Sequence, residues 1–174
     1  MSKLLLKNDS SIDQKVDAIV NAANKYLQAG SGVCGAIYEK AGYQELTEAC
    51  SKIKTPLEDG DDVITPSFHI KNAKYIIHAI GPNFSIHKDA YEELYKAYYN
   101  SLNLLKENNL HSISFPLISS GIYGGTLKHP ASVSATACLK AFYQFIEENE
   151  DYDIEVILCA YTKKELEEVE AVWN

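Results

Sequence analysis

The sequence contains no arginine: all 16 basic residues are lysine, against 24 acidic residues, and the formal net charge is −8. The acidic excess lies after Ile146, where only Lys163 and Lys164 oppose the carboxylates. Binding of nucleic acid through a basic face needs lysine and arginine clusters that neutralise phosphates. We therefore expect no nucleic-acid partner, and any bound anion must be held by lysine or by backbone amides, because the guanidinium fork is missing.

Paired cysteines and long apolar runs are missing as well. The four cysteines form no CxxC motif, and no cysteine–histidine pair has the spacing of a zinc site. No segment reaches the roughly 20 apolar residues of a membrane helix, and the three leucines before Lys7 are too few for a signal peptide. We expect a reduced, metal-free, cytoplasmic monomer without a membrane partner.

The 174 residues fit a single domain that spans residues 1–174. Short runs rich in β-branched residues predict six strands, and continuous apolarity is typical of strands that are covered on both faces. These runs are residues 3–6, 16–21, 62–65, 75–80, 112–117 and 155–159. A spacing of three or four between apolar residues predicts helices over residues 91–105, 131–146 and 163–173. The alternation predicts an α/β fold with a largely parallel sheet.

Six of the nine glycines fall in two clusters: Gly30, Gly32 and Gly35, then Gly121, Gly124 and Gly125. Glycine lets backbone N–H groups approach a ligand, and a helix N-terminus adds partial positive charge. Two such loops that face each other would hold a diphosphate, although either alone is equally typical of an ordinary turn. The first cluster also fits G-x-G-x-x-G, but it does not follow directly on the first strand, which argues against a dinucleotide-binding fingerprint.

Four segments in order along the chain resemble the macrodomain family: VDAIVNAAN at residues 16–24, the glycine loop at 30–35, YIIHAIGP at 75–82 and FPLISSGIYG at 115–124. The resemblance implies a three-layer α/β/α sandwich with a mixed, mostly parallel central sheet. It also implies that ADP-ribose binds between the two glycine loops. Many macrodomains cleave ADP-ribose from protein side chains or deacetylate O-acetyl-ADP-ribose, with no cofactor. ADP-ribosylated proteins are then the expected partners.

The resemblance also assigns roles to individual residues. Asp9 matches the aspartate that accepts from the adenine amino group, Tyr161 matches the aromatic residue that stacks on adenine, and Asn24 matches the catalytic residue at the distal ribose. Asn21 is expected to support the loop from behind, and His78 to be a core histidine. The remaining residues expected to bind ADP-ribose are Ser10, Ala22, Gly30, Ser31, Gly32, Val33, Cys34, Leu117, Ser119, Ser120, Gly121, Ile122, Tyr123 and Ala160. Of the acidic region after Ile146, only the segment at Tyr161 is expected to contact the ligand.

Cys34 and Ala29 depart from the family pattern. Macrodomains with strong hydrolase activity often carry an aspartate where this chain has Cys34, and some viral members carry a histidine where it has Ala29. A thiol near a helix N-terminus can have a lowered pKa and become reactive, whereas a small side chain that fills the pocket wall is the alternative we favour. Three functions follow: a hydrolase for ADP-ribose on acidic side chains or for O-acetyl-ADP-ribose, a non-catalytic ADP-ribose reader, and an RNA-binding module, which the charge disfavours.

Overall fold

The computed structural model describes residues 1–173, which form one six-stranded sheet between two layers of helices. The strands are β1 (Lys3–Lys7), β2 (Ala18–Ala23), β3 (Asp62–Pro66), β4 (Tyr75–Ile80), β5 (Ser112–Phe115) and β6 (Glu155–Cys159). Their order in the sheet is β1-β6-β5-β2-β4-β3, and all neighbours are parallel except β3, which runs antiparallel to β4. The central strands are mostly apolar because helices cover both faces of the sheet, and their polar residues Asn21, His78 and Ser114 are buried.

Five helices complete the fold: α1 (Gly32–Ala41), α2 (Tyr43–Ser51), α3 (Tyr91–Glu107), α4 (Pro130–Glu148) and α5 (Lys163–Glu170). Two separate hydrophobic clusters lie on the two faces of the sheet. One joins the sheet to α3, α4 and α5, with Tyr98 and Phe145 among its fully buried side chains. The other joins it to α1 and α2 through Ile37 and Leu46. The predicted three-layer α/β/α sandwich with a mixed, mostly parallel sheet is confirmed.

Most predicted elements differ from the observed ones by one to three residues at one or both ends. The strand predicted at residues 16–21 is β2, shifted toward the cleft, and the strand predicted at 112–117 ends at Phe115, because Pro116 has no N–H for the ladder. The last helix ends at Glu170 rather than at residue 173. Helix α1 already begins at Gly32, so the first glycine cluster is partly helical instead of a free loop. Pro130 occupies the first turn of α4, with His129 as its N-cap residue.

His78 is a core histidine, as predicted, with no exposed surface. It pairs in register with Asn21 of the neighbouring strand. Asn21 Nδ2 donates to His78 Nδ1 at 3.0 Å, so the ring proton sits on Nε2, which donates to Thr65 Oγ1 at 2.9 Å. Burial lowers the pKa of His78 to about 4. The neutral imidazole therefore ties three strands together beneath the strand ends.

Over residues 1–173, no helix has both the length and the apolar composition required to cross a bilayer.

Candidate functional site at the carboxyl ends of the parallel strands

A cleft of about 540 Å³ opens where β1, β6, β5 and β2 end. Ligands of open α/β sheets bind at this edge, outside the carboxyl ends of the strands. Every residue predicted to bind or act on the ligand lines the cleft, except Ala160. The structure adds residues that were not predicted: Ser11, Ala23, Pro116, Cys159 and Glu165.

Ala160 lies behind the wall of the cleft. Its surface is completely buried, its N–H donates to Lys7 O at 2.8 Å, and its carbonyl accepts from Asn8 Nδ2 at 2.8 Å. Both backbone groups therefore take part in hydrogen bonds that join the end of β1 to the end of β6. Ala160 therefore shapes the wall and leaves no group for a ligand.

The first turn of α1 supplies backbone donors to the cleft. Its N-cap residue Ser31 makes no side-chain capping bond, and Gly32, Val33 and Cys34 all line the cleft. The first N–H groups of a helix have no intrahelical partner, so they and the helix dipole favour an anion. Gly35 lets this turn approach the preceding loop, because a Cβ at Gly35 would collide with the carbonyl of Gly30.

The second loop, residues 119–123, is held from below by its serines. Ser119 Oγ donates to Pro82 O at 2.7 Å and Ser120 Oγ donates to Leu117 O at 2.8 Å. Ser119 adopts a φ of 61°, which turns the chain over the end of β5. Among residues 1–173, no acceptor meets the backbone N–H of Gly121, Ile122 or Tyr123. The loop therefore presents three free donors opposite the N-terminus of α1.

Asn24 follows β2 and lies half-buried at one end of the cleft. Its Oδ1 accepts from the N–H groups of Tyr26 and Gln28, each at 3.1 Å, and its Nδ2 donates to Gln28 O at 2.8 Å. An amide nitrogen carries two protons, so one N–H of Asn24 remains available to a ligand. The side chain therefore organises its own turn and offers a donor, not the donor and acceptor together.

Asp9 occupies the opposite end, after β1. Its Oδ1 accepts from Ser10 N at 2.7 Å and its Oδ2 accepts from Gln14 Nε2 at 3.0 Å. The Ser10 bond, followed by the Gln14 bond, lowers the pKa of Asp9, so its exposed carboxylate stays ionised. Each carboxylate oxygen retains accepting capacity. Gln14, which sequence reasoning did not single out, fixes the direction of that carboxylate.

Tyr161 stands at the rim next to Asp9, with 73% of its surface exposed. Asn8 Nδ2 reaches both Ala160 O and Tyr161 O, at 2.8 and 3.2 Å, and so fixes the backbone that carries the ring. Glu165, which was not among the predicted residues, also lines the cleft here. A capping box with Thr162 turns the Glu165 carboxylate back toward the start of α5.

Cys34 is 93% buried, because its relative exposure is only 7%. Burial raises the pKa of its thiol, and Sγ donates weakly to Gln28 O at 3.6 Å. The alternative of a reactive thiolate is therefore disfavoured, and Cys34 fills the pocket wall. No group of three histidine, cysteine, aspartate or glutamate side chains in residues 1–173 is placed to hold a metal ion.

The comparison with known families agrees with this arrangement. The model of the Macro domain family matches residues 20–134, which contain both glycine clusters, Asn24 and His78. The chain belongs to the macrodomain family. The resemblance seen in the four sequence segments is thus confirmed.

Individual macrodomains match over most of the chain. A Trypanosoma brucei macrodomain solved in complex with ADP-ribose has a TM-score of 0.83 and 29% identity, over 98% of this chain and 69% of that one. An Oceanobacillus iheyensis macrodomain solved with ADP has a TM-score of 0.81 and 34% identity, over 94% of this chain and 86% of that one. ADP-ribose glycohydrolase MACROD1 of Bos taurus is 37% identical over 153 residues, which cover 87% of this chain but only 45% of that protein.

Proposed function

We propose that this macrodomain binds ADP-ribose in the cleft and hydrolyses the bond between mono-ADP-ribose and acidic side chains of modified proteins, or the ester of O-acetyl-ADP-ribose. The observation that carries the proposal is the pair of facing N–H clusters, at the start of α1 and in residues 121–123. These donors suit a diphosphate, because backbone N–H groups at a helix start and in a loop concavity bind anions without a basic side chain. The relatives solved with ADP and with ADP-ribose support the same ligand.

The two ends of the cleft define the direction of the ligand. Asp9 and Tyr161 together suit adenine, since an ionised carboxylate accepts from an exocyclic amine and an exposed ring stacks on a base. Asn24 and Tyr123 line the cleft and also border Ile80 and Gly81 at the end of β4, so this end of the cleft lies away from Asp9. They suit the distal ribose, to which Asn24 offers its remaining N–H.

The proposed hydrolysis is assisted by the substrate. Among the described cleft residues the carboxylates are Asp9 and Glu165, and both follow the β1 and β6 edge, away from Asn24. A diphosphate oxygen of the ligand therefore takes the proton from the attacking water. The chain supplies positioning and fixed amide dipoles, which stabilise charge without reorganising during the reaction.

A reader without activity is the second candidate, and it is favoured because Asp9 and Glu165, the carboxylates among the described residues of the cleft, follow β1 and β6 and not β2. Calorimetric titration with ADP-ribose, followed by release of labelled ADP-ribose from a protein modified on glutamate, separates the two. Binding with release supports the hydrolase, and binding without release supports the reader. Absence of binding would overturn both, and a parallel salt titration with single-stranded RNA tests the third function.

A further inference from the structure

A second cavity of about 230 Å³, which we name the side cavity, adjoins the distal end of the cleft. The two spaces share Asn24 and Tyr123. Beyond these residues the side cavity is walled by Lys25, Asp59 and His87, so it lies toward β4 and away from Asp9. A group attached to a ribose held by Asn24 and Tyr123 has this space as its neighbour.

We propose that the side cavity receives the modified side chain of an ADP-ribosylated protein, and that Lys25 binds the carboxylate that leaves. This inference rests on the proposed function, because it needs a ribose at Asn24. It adds a binding site for the modified side chain and a residue for which the family resemblance gave no role. Lys25 acts on the leaving group, whereas Asn24 acts on the ribose.

The Lys25 ammonium has N–H donors available to bind a carboxylate. Its Nζ lies 3.5 Å from Asp59 Oδ1, longer than the roughly 2.7–2.9 Å of a charge-assisted hydrogen bond. The ammonium has three donors, and this single long contact leaves it able to turn toward a second anion. The Lys25 side chain is 46% exposed and that of Asp59 only 15%, so the cation is the more accessible member of the pair. An anionic leaving group is therefore favoured over a guanidinium.

The chemical step balances with a carboxylate as the leaving group. The oxygen of water forms a bond to the anomeric carbon of the ribose, and the ester C–O bond at that carbon breaks. The bonding pair leaves with the side-chain oxygen and becomes carboxylate charge, which Lys25 neutralises. The proton of water passes to the ligand diphosphate and then to solvent. The products are ADP-ribose and a free acidic side chain, with no oxidant or reductant involved.

The size and rim of the side cavity favour a protein substrate over a small ester. One water takes up about 30 Å³ of liquid, so an acetyl group would leave most of the 230 Å³ empty. Tyr26 and Ile86 stand at the rim with 59% and 70% of their surfaces exposed. Exposed apolar side chains around a pocket mouth are typical of contact with another chain. The residues that flank the modified side chain are expected to cover them.

The test compares label release from a protein modified on glutamate with release from a protein modified on arginine. Lys25→Met removes the charge, Lys25→Arg retains it, and Lys71→Met, at an exposed lysine near the opposite end of β4, is the matched control. We expect Lys25→Met to lower kcat/KM on the glutamate-linked substrate about tenfold, the size of one lost charged hydrogen bond. Lys25→Arg should retain most of the activity and Lys71→Met all of it.

The role of the rim is tested by comparing turnover of the same glutamate-linked protein with turnover of O-acetyl-ADP-ribose. Tyr26→Ala is expected to lower turnover of the protein more than that of the small ester, by about fivefold or more, as for loss of an aromatic contact. Tyr43→Ala, at a tyrosine that is 60% exposed elsewhere, controls for the loss of a surface ring. Equal losses on both substrates would overturn the rim's role.

Two results would overturn the role of Lys25 while the proposed function stands. One is that Lys25→Met binds ADP-ribose and releases label from the glutamate-linked protein at the same rate as the parent chain. The other is faster release from arginine than from glutamate, with Asp59→Asn as the damaging change. If the parent chain binds no ADP-ribose in calorimetry, the proposed function itself fails, so the two failures are distinguishable.

Discussion

The side chain of Asn24 brackets the backbone of Gln28: Oδ1 accepts the Gln28 N–H at 3.1 Å, and Nδ2 donates to the Gln28 carbonyl at 2.8 Å. An amide carries its acceptor and its donors on separate atoms, so it can bond the N–H and the carbonyl of the same residue at once. The turn after β2 is therefore built by the residue that also faces the ligand, and structural and functional effects of Asn24 must be separated by the choice of variant.

Asn24→Asp and Asn24→Ala remove different parts of this arrangement. Aspartate keeps the acceptor for Tyr26 and Gln28 and loses only the N–H donors, whereas alanine loses both. We expect both variants to lose hydrolysis by about tenfold or more, since one ligand contact and its fixed geometry disappear. Both variants should also lower the melting temperature, because Asn24→Ala loses all three bonds and Asn24→Asp sets a carboxylate oxygen against Gln28 O. Label release at the parental rate in Asn24→Asp would contradict a role for the remaining N–H.

Tyr161→Ala should weaken ADP-ribose binding by about 1–3 kcal/mol, the range for loss of stacking on a base. This corresponds to a rise in Kd of roughly 5- to 150-fold. Tyr161→Phe keeps the ring and should bind as the parent chain does. Tyr143→Ala, at a tyrosine that is 53% exposed on α4, is the control for surface aromatic loss. Calorimetry with ADP-ribose measures all three, and an unchanged Kd in Tyr161→Ala would remove the ring from the binding site.

Gly81→Ala is expected to destabilise the fold next to the second loop. A Cβ at Gly81 would collide with Ile118 Cγ2 and with Ser119 Oγ, the hydroxyl that anchors the loop to Pro82. Overpacking of this kind reduces the free energy of unfolding by about 1–3 kcal/mol. Gly30→Ala is the control, because its Cβ would meet Cys34 only at an ordinary 3.9 Å. Urea denaturation should separate the two variants, and equal midpoints would refute the collision.

Cys34→Ser should retain label release to within about twofold, because a buried, protonated thiol acts through its size and not as a nucleophile. The serine hydroxyl also replaces the weak donor to Gln28 O. In the native chain all four cysteines are buried, so a thiol reagent should react slowly and reach four equivalents only after unfolding. Loss of turnover in Cys34→Ser would instead assign the sulfur a chemical role.

Asp62 carries a buried carboxyl whose protonation couples stability to pH. Ser101 Oγ lies against both Asp62 Oδ2 and Ala97 O, and one hydroxyl proton cannot serve both acceptors. A protonated Asp62 resolves this conflict by donating to Ser101, which then donates to Ala97. Asp62 Oδ1 is buried without a partner among the described residues. Burial accordingly raises the pKa of Asp62 well above 3.8.

The native state thus holds this proton more tightly than the unfolded chain does. Its contribution to stability is fully present below about pH 4 and is lost as the pH rises through the native pKa. We expect Asp62→Asn, whose Nδ2 donates permanently to Ser101, to gain free energy of unfolding relative to the parent as the pH rises from 4 to 7. Denaturant titrations at several pH values measure this difference, with the exposed Asp89→Asn as charge control. A constant difference across that range would contradict the assignment.

Much of this architecture follows from local sequence. Apolar runs predicted the strands because both faces of the sheet are covered, and the glycine clusters located the loops because close backbone approach requires glycine there. The end of β5 at Phe115, earlier than predicted, also has a local cause in the sequence, because Pro116 has no N–H. The TKKE segment at residues 162–165 is a capping-box pattern, so it could have located the start of α5 and the inward turn of Glu165.

Other parts of the site depend on contacts between distant residues. The bonds of Asn8 to the Tyr161 segment arise only once β1 lies beside β6. The bond of Gln14 to Asp9 is local, but it depends on the conformation of the turn between them. The commitment of Asn24 to Gln28 depends on the conformation of the turn, since an asparagine in a loop has several possible partners. Residue type alone could not choose among them.

The joint between Asn8 and Ala160 spans 152 positions of sequence. The two glycine loops are complete once the chain reaches residue 125, but the wall at Asp9 and Tyr161 closes only when β6 and the start of α5 have been made. Closing so long a loop is a late and entropically unfavourable event in folding. During synthesis, the residues of both glycine loops are therefore made before the residues that close the wall at Tyr161, and the complete cleft exists only in a nearly finished chain.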